Sequence, residues 1–188
     1  MKDAKDYYNI AVDLQKEDKL ADAKMFYEKA IRLDPMMYQA YNNLGNVLCR
    51  LGNWERGLSY YKRAIDIKKD FSLPYYNIGI LKHEKGMVMQ SLKYLREAEE
   101  LGMKGADLYL EMAEVLYEME EYEKALKYFL EVIEDSEQGY AYLGAGFCYF
   151  KLGKMKRAKQ MLEKAKALGI HVTEGELMIR KIMSEKDG

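Results

Sequence analysis

Cysteine, proline and tryptophan are all scarce in this 188-residue chain, which holds two, two and one of them. Cys49 and Cys148 make neither a disulfide framework nor a zinc motif. So little proline excludes a linker-rich or proline-rich protein. No apolar run approaches the roughly 20 residues that a membrane helix needs, so membrane insertion is not expected. The segment Met1 to Asp6 carries acids and no apolar stretch. No secretory signal is therefore expected, and the cytoplasm is the expected compartment. An excess of charge of one sign is also missing: Lys plus Arg is 30, Asp plus Glu is 31, and the net charge is -1. That balance gives no general pull toward nucleic acid. No glycine-rich phosphate loop occurs. The only histidines are His83 and His171, and His83 with Cys49, one period earlier, would supply two ligands where a zinc site needs more. No catalytic, cofactor or metal constellation is expected, and the reading is of a protein that is not an enzyme.

What is present is enough apolar residue for a core, 49% of the chain, together with 32% charged residues. These residues recur. Ala11, Gly45, Gly79, Ala113 and Gly146 stand 34, 34, 34 and 33 residues apart. Tyr7, Tyr41, Tyr75, Tyr109 and Tyr142 keep the same phase. So do Ala23, Gly57, Ser91, Ala125 and Ala158, then Tyr27, Tyr61, Leu95, Phe129 and Leu162, then Ala30, Ala64, Ala98, Val132 and Ala165. Within a copy, Tyr7, Ile10, Ala11 and Leu14 follow the i, i+3, i+4, i+7 rhythm of an amphipathic helix. Ala23, Phe26, Tyr27 and Ala30 make a second stripe. Between the two stands Asp18, with Gly52, Gly86, Glu120 and Gly153 as its equivalents. Glycine there suits the left-handed end of a helix. Asn53 is expected to cap the helix that follows. The small residues at Ala11 and Ala23 are expected where the two helices cross.

This pattern resembles the tetratricopeptide repeat (TPR). The resemblance covers residues 4–37, 38–71, 72–105, 106–138 and 139–172, with tyrosine in place of the usual tryptophan and the late proline kept only at Pro35. Thr173 to Glu176 has the spacing of a capping box. A helix over 173–186, carrying Leu177, Met178, Ile182 and Met183, resembles the extra terminal helix that shields the last repeat. The resemblance implies an all-α, right-handed superhelix of eleven helices in one array. It also implies a concave groove lined by the first helix of each repeat.

Opposite the core stripe the first helices carry Tyr8, Asn9 and Val12 in copy one, and Asn42, Asn43 and Asn46 in copy two. Copy three carries Tyr76, Asn77 and Ile80, copy four Leu110, Glu111, Glu114 and Glu118, and copy five Tyr140, Leu143, Gly144 and Phe147. Asn9, Asn43 and Asn77 stand one repeat apart, like the asparagine ladder of some TPR proteins. A carboxamide offers an acceptor and two donors, which match the N–H and C=O of a peptide group. Helix propensity gives no reason for three asparagines in register. The Lys and Asn pair with which some TPR modules clamp a terminal carboxylate is replaced by Tyr8 and Val12, and Leu73 and Asn77 stand where the bases should be. From Glu97 to Glu137 there are 14 acids against Lys104, Lys124 and Lys127, and from Lys151 to Lys166 seven bases against Glu163. Lys154, Lys156, Arg157 and Lys159 fall on a second helix, which the family places on the convex side. The expected function is an adaptor or scaffold that holds a segment of another protein, with basic character favoured by the acidic fourth copy. The alternative is a self-assembling scaffold, a homo-oligomer in which the groove of one chain receives the terminal helix or convex face of another.

Overall fold

The computed structural model describes residues 2–170. Among them are ten α-helices: α1 (Ala4–Lys16), α2 (Leu20–Leu33), α3 (Tyr38–Arg50), α4 (Trp54–Ile67), α5 (Ser72–Glu84), α6 (Val88–Glu100), α7 (Ala106–Glu118), α8 (Tyr122–Asp135), α9 (Gly139–Lys151) and α10 (Met155–Ala167). The expected terminal helix at 173–186 lies outside the described residues. The described residues fall into two compact units, divided between Met103 and Lys104. In the first, α1 packs on α2, α3 on α4 and α5 on α6, and α2 and α4 also meet the helix that follows them. In the second, α7 packs on α8 and α9 on α10, and α8 also meets α9.

The helix stops between the members of each pair share one geometry. Asp18, Gly52, Gly86, Glu120 and Gly153 all have positive φ, between 60° and 82°. In the second pair, the Gly52 N–H donates to the Cys49 carbonyl at 2.9 Å and the Asn53 N–H to the Leu48 carbonyl at 2.8 Å. The other four turns repeat this bonding. It satisfies carbonyls that a helix end would otherwise leave without donors. Asn53 makes no side-chain capping bond, contrary to the sequence expectation. The backbone turn itself sets the start of α4, and the capping box of the described helices is at Asp3 and Asp6 of α1.

Glu120 adopts φ +61° without glycine's freedom, which costs an L-residue roughly 1–2 kcal/mol. Glu120→Gly is therefore expected to stabilise the second unit by about 1 kcal/mol, offset in part by glycine's greater unfolded-state entropy. Urea denaturation would show it, and a midpoint at or below the parent's would mean that the Glu120 side chain has its own stabilising contacts. Asp18 should gain less, because aspartate tolerates this region and Asp18 also pairs with Arg50.

Where the helices of a pair cross, there is room only for small residues. A Cβ built on Gly79 would lie 2.6 Å from Leu95 Cδ2, and one on Gly146 would lie 2.7 Å from Leu162 Cδ2. The partner column of small residues is fully buried, and at α6 it is filled by Ser91, whose Oγ has no hydrogen-bond partner among the described residues. An unsatisfied buried hydroxyl costs about 1–3 kcal/mol. Ser91→Ala removes it with almost no change in volume, as Ala23, Ala125 and Ala158 show at the equivalent positions. The variant is expected to be about 1 kcal/mol more stable in the same denaturation assay; a loss of stability would mean that the hydroxyl has a partner in solution.

Candidate protein-binding faces

In the first unit the first-helix faces of α1, α3 and α5 carry a continuous chain of hydrogen bonds. Asn77 Nδ2 donates to Asn42 Oδ1 at 2.9 Å, Asn42 Nδ2 donates to Asn43 Oδ1 at 3.2 Å, and Asn43 Nδ2 donates to the Tyr8 hydroxyl at 3.1 Å. Three helices are thereby tied together by side chains 35 residues apart. Asn42 is only 2% exposed. This corrects its assignment to the open groove: it is a buried link that donates to Asn43 and accepts from Asn77. Asn43, Asn77, Tyr8 and Asn46 are half-buried, and Asn9 is exposed.

Two tyrosines fix further carboxamides. The Tyr27 hydroxyl donates to Gln15 Oε1 and the Tyr61 hydroxyl to Asn46 Oδ1, each at 2.7 Å. Burial pushes the Tyr27 phenol up to about 12 and raises that of Tyr61 as well. Both therefore stay protonated donors near neutral pH, and the NH₂ groups of Gln15 and Asn46 are turned away from them. Burial likewise raises the Cys49 thiol, against a hydrogen bond with Tyr61 that lowers it.

In the first unit the expected residues line two cavities rather than one. A cavity of about 280 Å³ is lined by Gln15, Asn46, Asn77, Ile80, Tyr61 and Cys49, with Arg50 and Glu84 also on its wall. Another, of about 460 Å³, brings Tyr8 and Asn9 together with Lys5, Asp34, Met36 and Tyr38. Asn43 is joined to the second through Tyr8 and to the first through Asn42. Gln15 and Tyr61 escaped the sequence reading. Tyr61 belongs to a core column, and only packing shows that its hydroxyl reaches the far face of α3. Tyr76 is half-buried on α5.

In the second unit, Glu114 and Phe147 come together in a cavity of about 250 Å³, with Tyr117, Glu118, Phe129, Tyr140, Leu143 and Gly144. Glu111, half-buried on α7, does not line it. Tyr117 and Phe147 lie 6.5 Å apart at 41°, and Tyr117 meets Tyr122 edge-on at 5.3 Å. Lys151 stands over the Tyr122 ring, 5.8 Å from its centroid. Phe129 forms the floor. A Cβ on Gly144 would sit 2.3 Å from Phe129 Cζ, so the absence of a side chain at 144 lets the ring lie against α9.

These paired helices, their shared left-handed turns and their small crossing residues define a helical repeat protein. A family model described as tetratricopeptide repeat matches residues 8–70, and one described as anaphase-promoting complex, cyclosome, subunit 3, matches residues 95–165. Over 112 residues the chain is 30% identical to the photosystem I assembly protein Ycf3 of Acaryochloris marina, covering 57% of this chain and 67% of that protein. The chain belongs to the tetratricopeptide repeat family. Among solved structures it is similar to PilF of Pseudomonas aeruginosa, with a TM-score of 0.80 at 22% identity, covering 97% of this chain and 82% of that one. It is also similar to YrrB, described as a TPR protein with an unusual peptide-binding site, with a TM-score of 0.73 at 24% identity, covering 99% of this chain and 93% of that one. At these identities the structural likenesses show the fold alone. None of the described helices is long and apolar enough to cross a membrane.

Proposed function

We propose that the protein is a non-catalytic adaptor, acting in the cytoplasm, that holds an extended segment of another protein against the first-helix faces of α1, α3 and α5. The observation that carries this reading is the row of oriented carboxamides. Asn77 spends one donor on Asn42 and Asn43 spends one on Tyr8, and Asn46 keeps its NH₂ beyond its bond with Tyr61. Each retains hydrogen-bonding capacity in a place already fixed, so little side-chain freedom is lost when a peptide binds. Carboxamides in register suit a peptide backbone, which repeats its N–H and C=O whatever its side chains. Glu111, Glu114 and Phe147 of the second unit supply an acidic and aromatic face that favours a partner with basic residues.

The reading is tested with a ligand selected from a peptide library on the full chain. Methylating alternate backbone nitrogens of that ligand should weaken binding at least tenfold, while exchanging the side chains that face away should not. Indifference to N-methylation would remove the backbone-gripping role. The opposite charges of segments 97–137 and 151–166 favour a self-assembling scaffold as the second reading. In that case the mass would fall on dilution without any ligand, whereas an adaptor's would not.

A further inference from the structure

We infer that the cavity of about 280 Å³ lined by α1, α3 and α5 is a subsite for a glutamine side chain of the bound partner segment. This names a side chain that the adaptor proposed above selects, and it rests on that reading.

The lining combines amide donors, one carboxylate and an apolar wall. The carbonyl oxygens of Gln15 and Asn46 accept from the Tyr27 and Tyr61 hydroxyls at 2.7 Å, so their NH₂ groups are turned away from those hydroxyls. Asn77 adds the N–H left beyond its bond to Asn42. Glu84, exposed near the end of α5, offers an acceptor and a negative charge. Beyond burial, that charge also raises the Cys49 thiol and the Tyr61 phenol, so the carboxylate stands close to both. Ile80 and Leu81 supply the apolar wall. An alkyl side chain would cover that wall, but it would take water from the amides and from Glu84 and return no hydrogen bond, which is unfavourable. A carboxylate would accept from the amides but meet the charge of Glu84, and the Arg50 guanidinium on the same wall is already paired with Asp18. An ammonium would suit Glu84 but has no acceptor for the amide N–H groups. A carboxamide satisfies both: its C=O has two lone pairs for Gln15 and Asn46, and its NH₂ donates to Glu84. The two methylenes of glutamine cover more of the apolar wall than the one of asparagine. Asn46 has two N–H groups, so one remains for the partner's backbone.

The test uses the full chain and the blocked pentapeptide Ala-Ala-Gln-Ala-Ala, with counterparts in which asparagine, glutamate, lysine or norleucine replaces glutamine. Binding is followed by the NMR signals of the Gln15 and Asn46 side-chain NH₂ groups. The glutamine peptide should shift these signals saturably, and the asparagine peptide should bind severalfold more weakly. The glutamate, lysine and norleucine peptides should bind about tenfold more weakly or worse, since each leaves an amide donor or the carboxylate unmatched. Glu84→Lys should reverse the order of the glutamine and glutamate peptides, because the group that repels glutamate becomes a cation. Glu84 is exposed, so this variant should fold as the parent does by circular dichroism. If it does not, Glu84→Gln takes its place and should narrow the difference between the two peptides by about threefold or more. Norleucine binding as tightly as glutamine would overturn the assignment in favour of a plain apolar cavity, and glutamate binding as tightly would overturn it in favour of an anion site. An unchanged order in the folded Glu84→Lys variant would overturn it too, as would absence of any shift. The same shifts on concentrating the chain alone would put a second copy in the cavity and would likewise overturn it. Backbone methylation of the library-selected ligand reads the adaptor separately. If methylation weakens that ligand while glutamine has no preference, only the subsite falls. A glutamine preference without sensitivity to methylation keeps the subsite and removes the backbone grip, and failure of both assays removes both.

Discussion

Replacing Asn9, Asn43 and Asn77 together by alanine is expected to weaken binding of the selected ligand on the order of a hundredfold. Each lost hydrogen bond to a partly dried backbone costs roughly 1–3 kcal/mol, and about 3 kcal/mol in total corresponds to that factor. From the sequence the fold should barely notice, since these side chains lie opposite the core stripe. The hydrogen-bond chain changes that expectation. Asn77→Ala removes a donor to buried Asn42, and Asn43→Ala removes both the bond to Tyr8 and the acceptor of Asn42. A stability loss of about 1–3 kcal/mol should therefore accompany the loss of binding.

Two single variants separate the effects. Asn9→Ala touches an exposed residue outside the chain of bonds, so it should weaken binding without moving the melting curve. Asn42→Ala should lower the melting curve, and it should affect binding only as far as the other carboxamides lose their orientation. Lys154, Lys156 and Lys159 replaced together by alanine should matter much less if the ligand lies on the first-helix faces. Isothermal titration of all four proteins decides it. Equal losses from the asparagine and lysine variants would place the ligand elsewhere, and full binding by the triple asparagine variant would leave its register with a purely structural role.

The second large effect is expected at Gly57. Here α3 and α4 cross on two glycines, Gly45 and Gly57. A Cβ on Gly57 would lie 2.4 Å from Cys49 Sγ and 3.0 Å from the Gly45 carbonyl oxygen. At Gly79 the obstacle is the end of a leucine, which can turn aside. At Gly57 part of it is backbone, which moves only if the whole helix moves. Gly57→Leu is therefore expected to cost about 3 kcal/mol, the upper part of the range for overpacking. That is a large share of a typical domain's stability of about 5–15 kcal/mol. The melting temperature should fall by about 10 °C, given roughly 2–4 °C per kcal/mol for a chain of this size. Repeat proteins transmit such damage chiefly to neighbouring repeats, so hydrogen exchange should report the loss first in α3 and α4 and then in α2 and α5, which pack on them. Melting indistinguishable from the parent's would mean that the two helices can separate at little cost.

The all-α class, the pairing of short helices and the columns that enter the core were readable from the sequence. The reason is that a repeat array is locally determined: each helix buries one stripe against its immediate neighbours, and the same small residue must return wherever two helices cross. Ala11, Gly45 and Gly79 announce that crossing, and Gly52, Gly86 and Gly153 announce the left-handed stop. Even Asp18 and Glu120, which lack glycine's freedom, take that conformation because the turn's two backbone hydrogen bonds require it. The side-chain bonds between repeats were not readable. Periodicity tells which face a residue occupies but not whether its polar atoms meet ligand, water or another side chain. Asn42 and Asn43 look alike in the sequence, yet one is buried and the other half-open. The cavity at Phe129 shows the same limit from the apolar side. A core-column ring becomes a cavity floor because Gly144 on the neighbouring helix has no side chain to cover it, and which ring meets which gap is decided by tertiary packing.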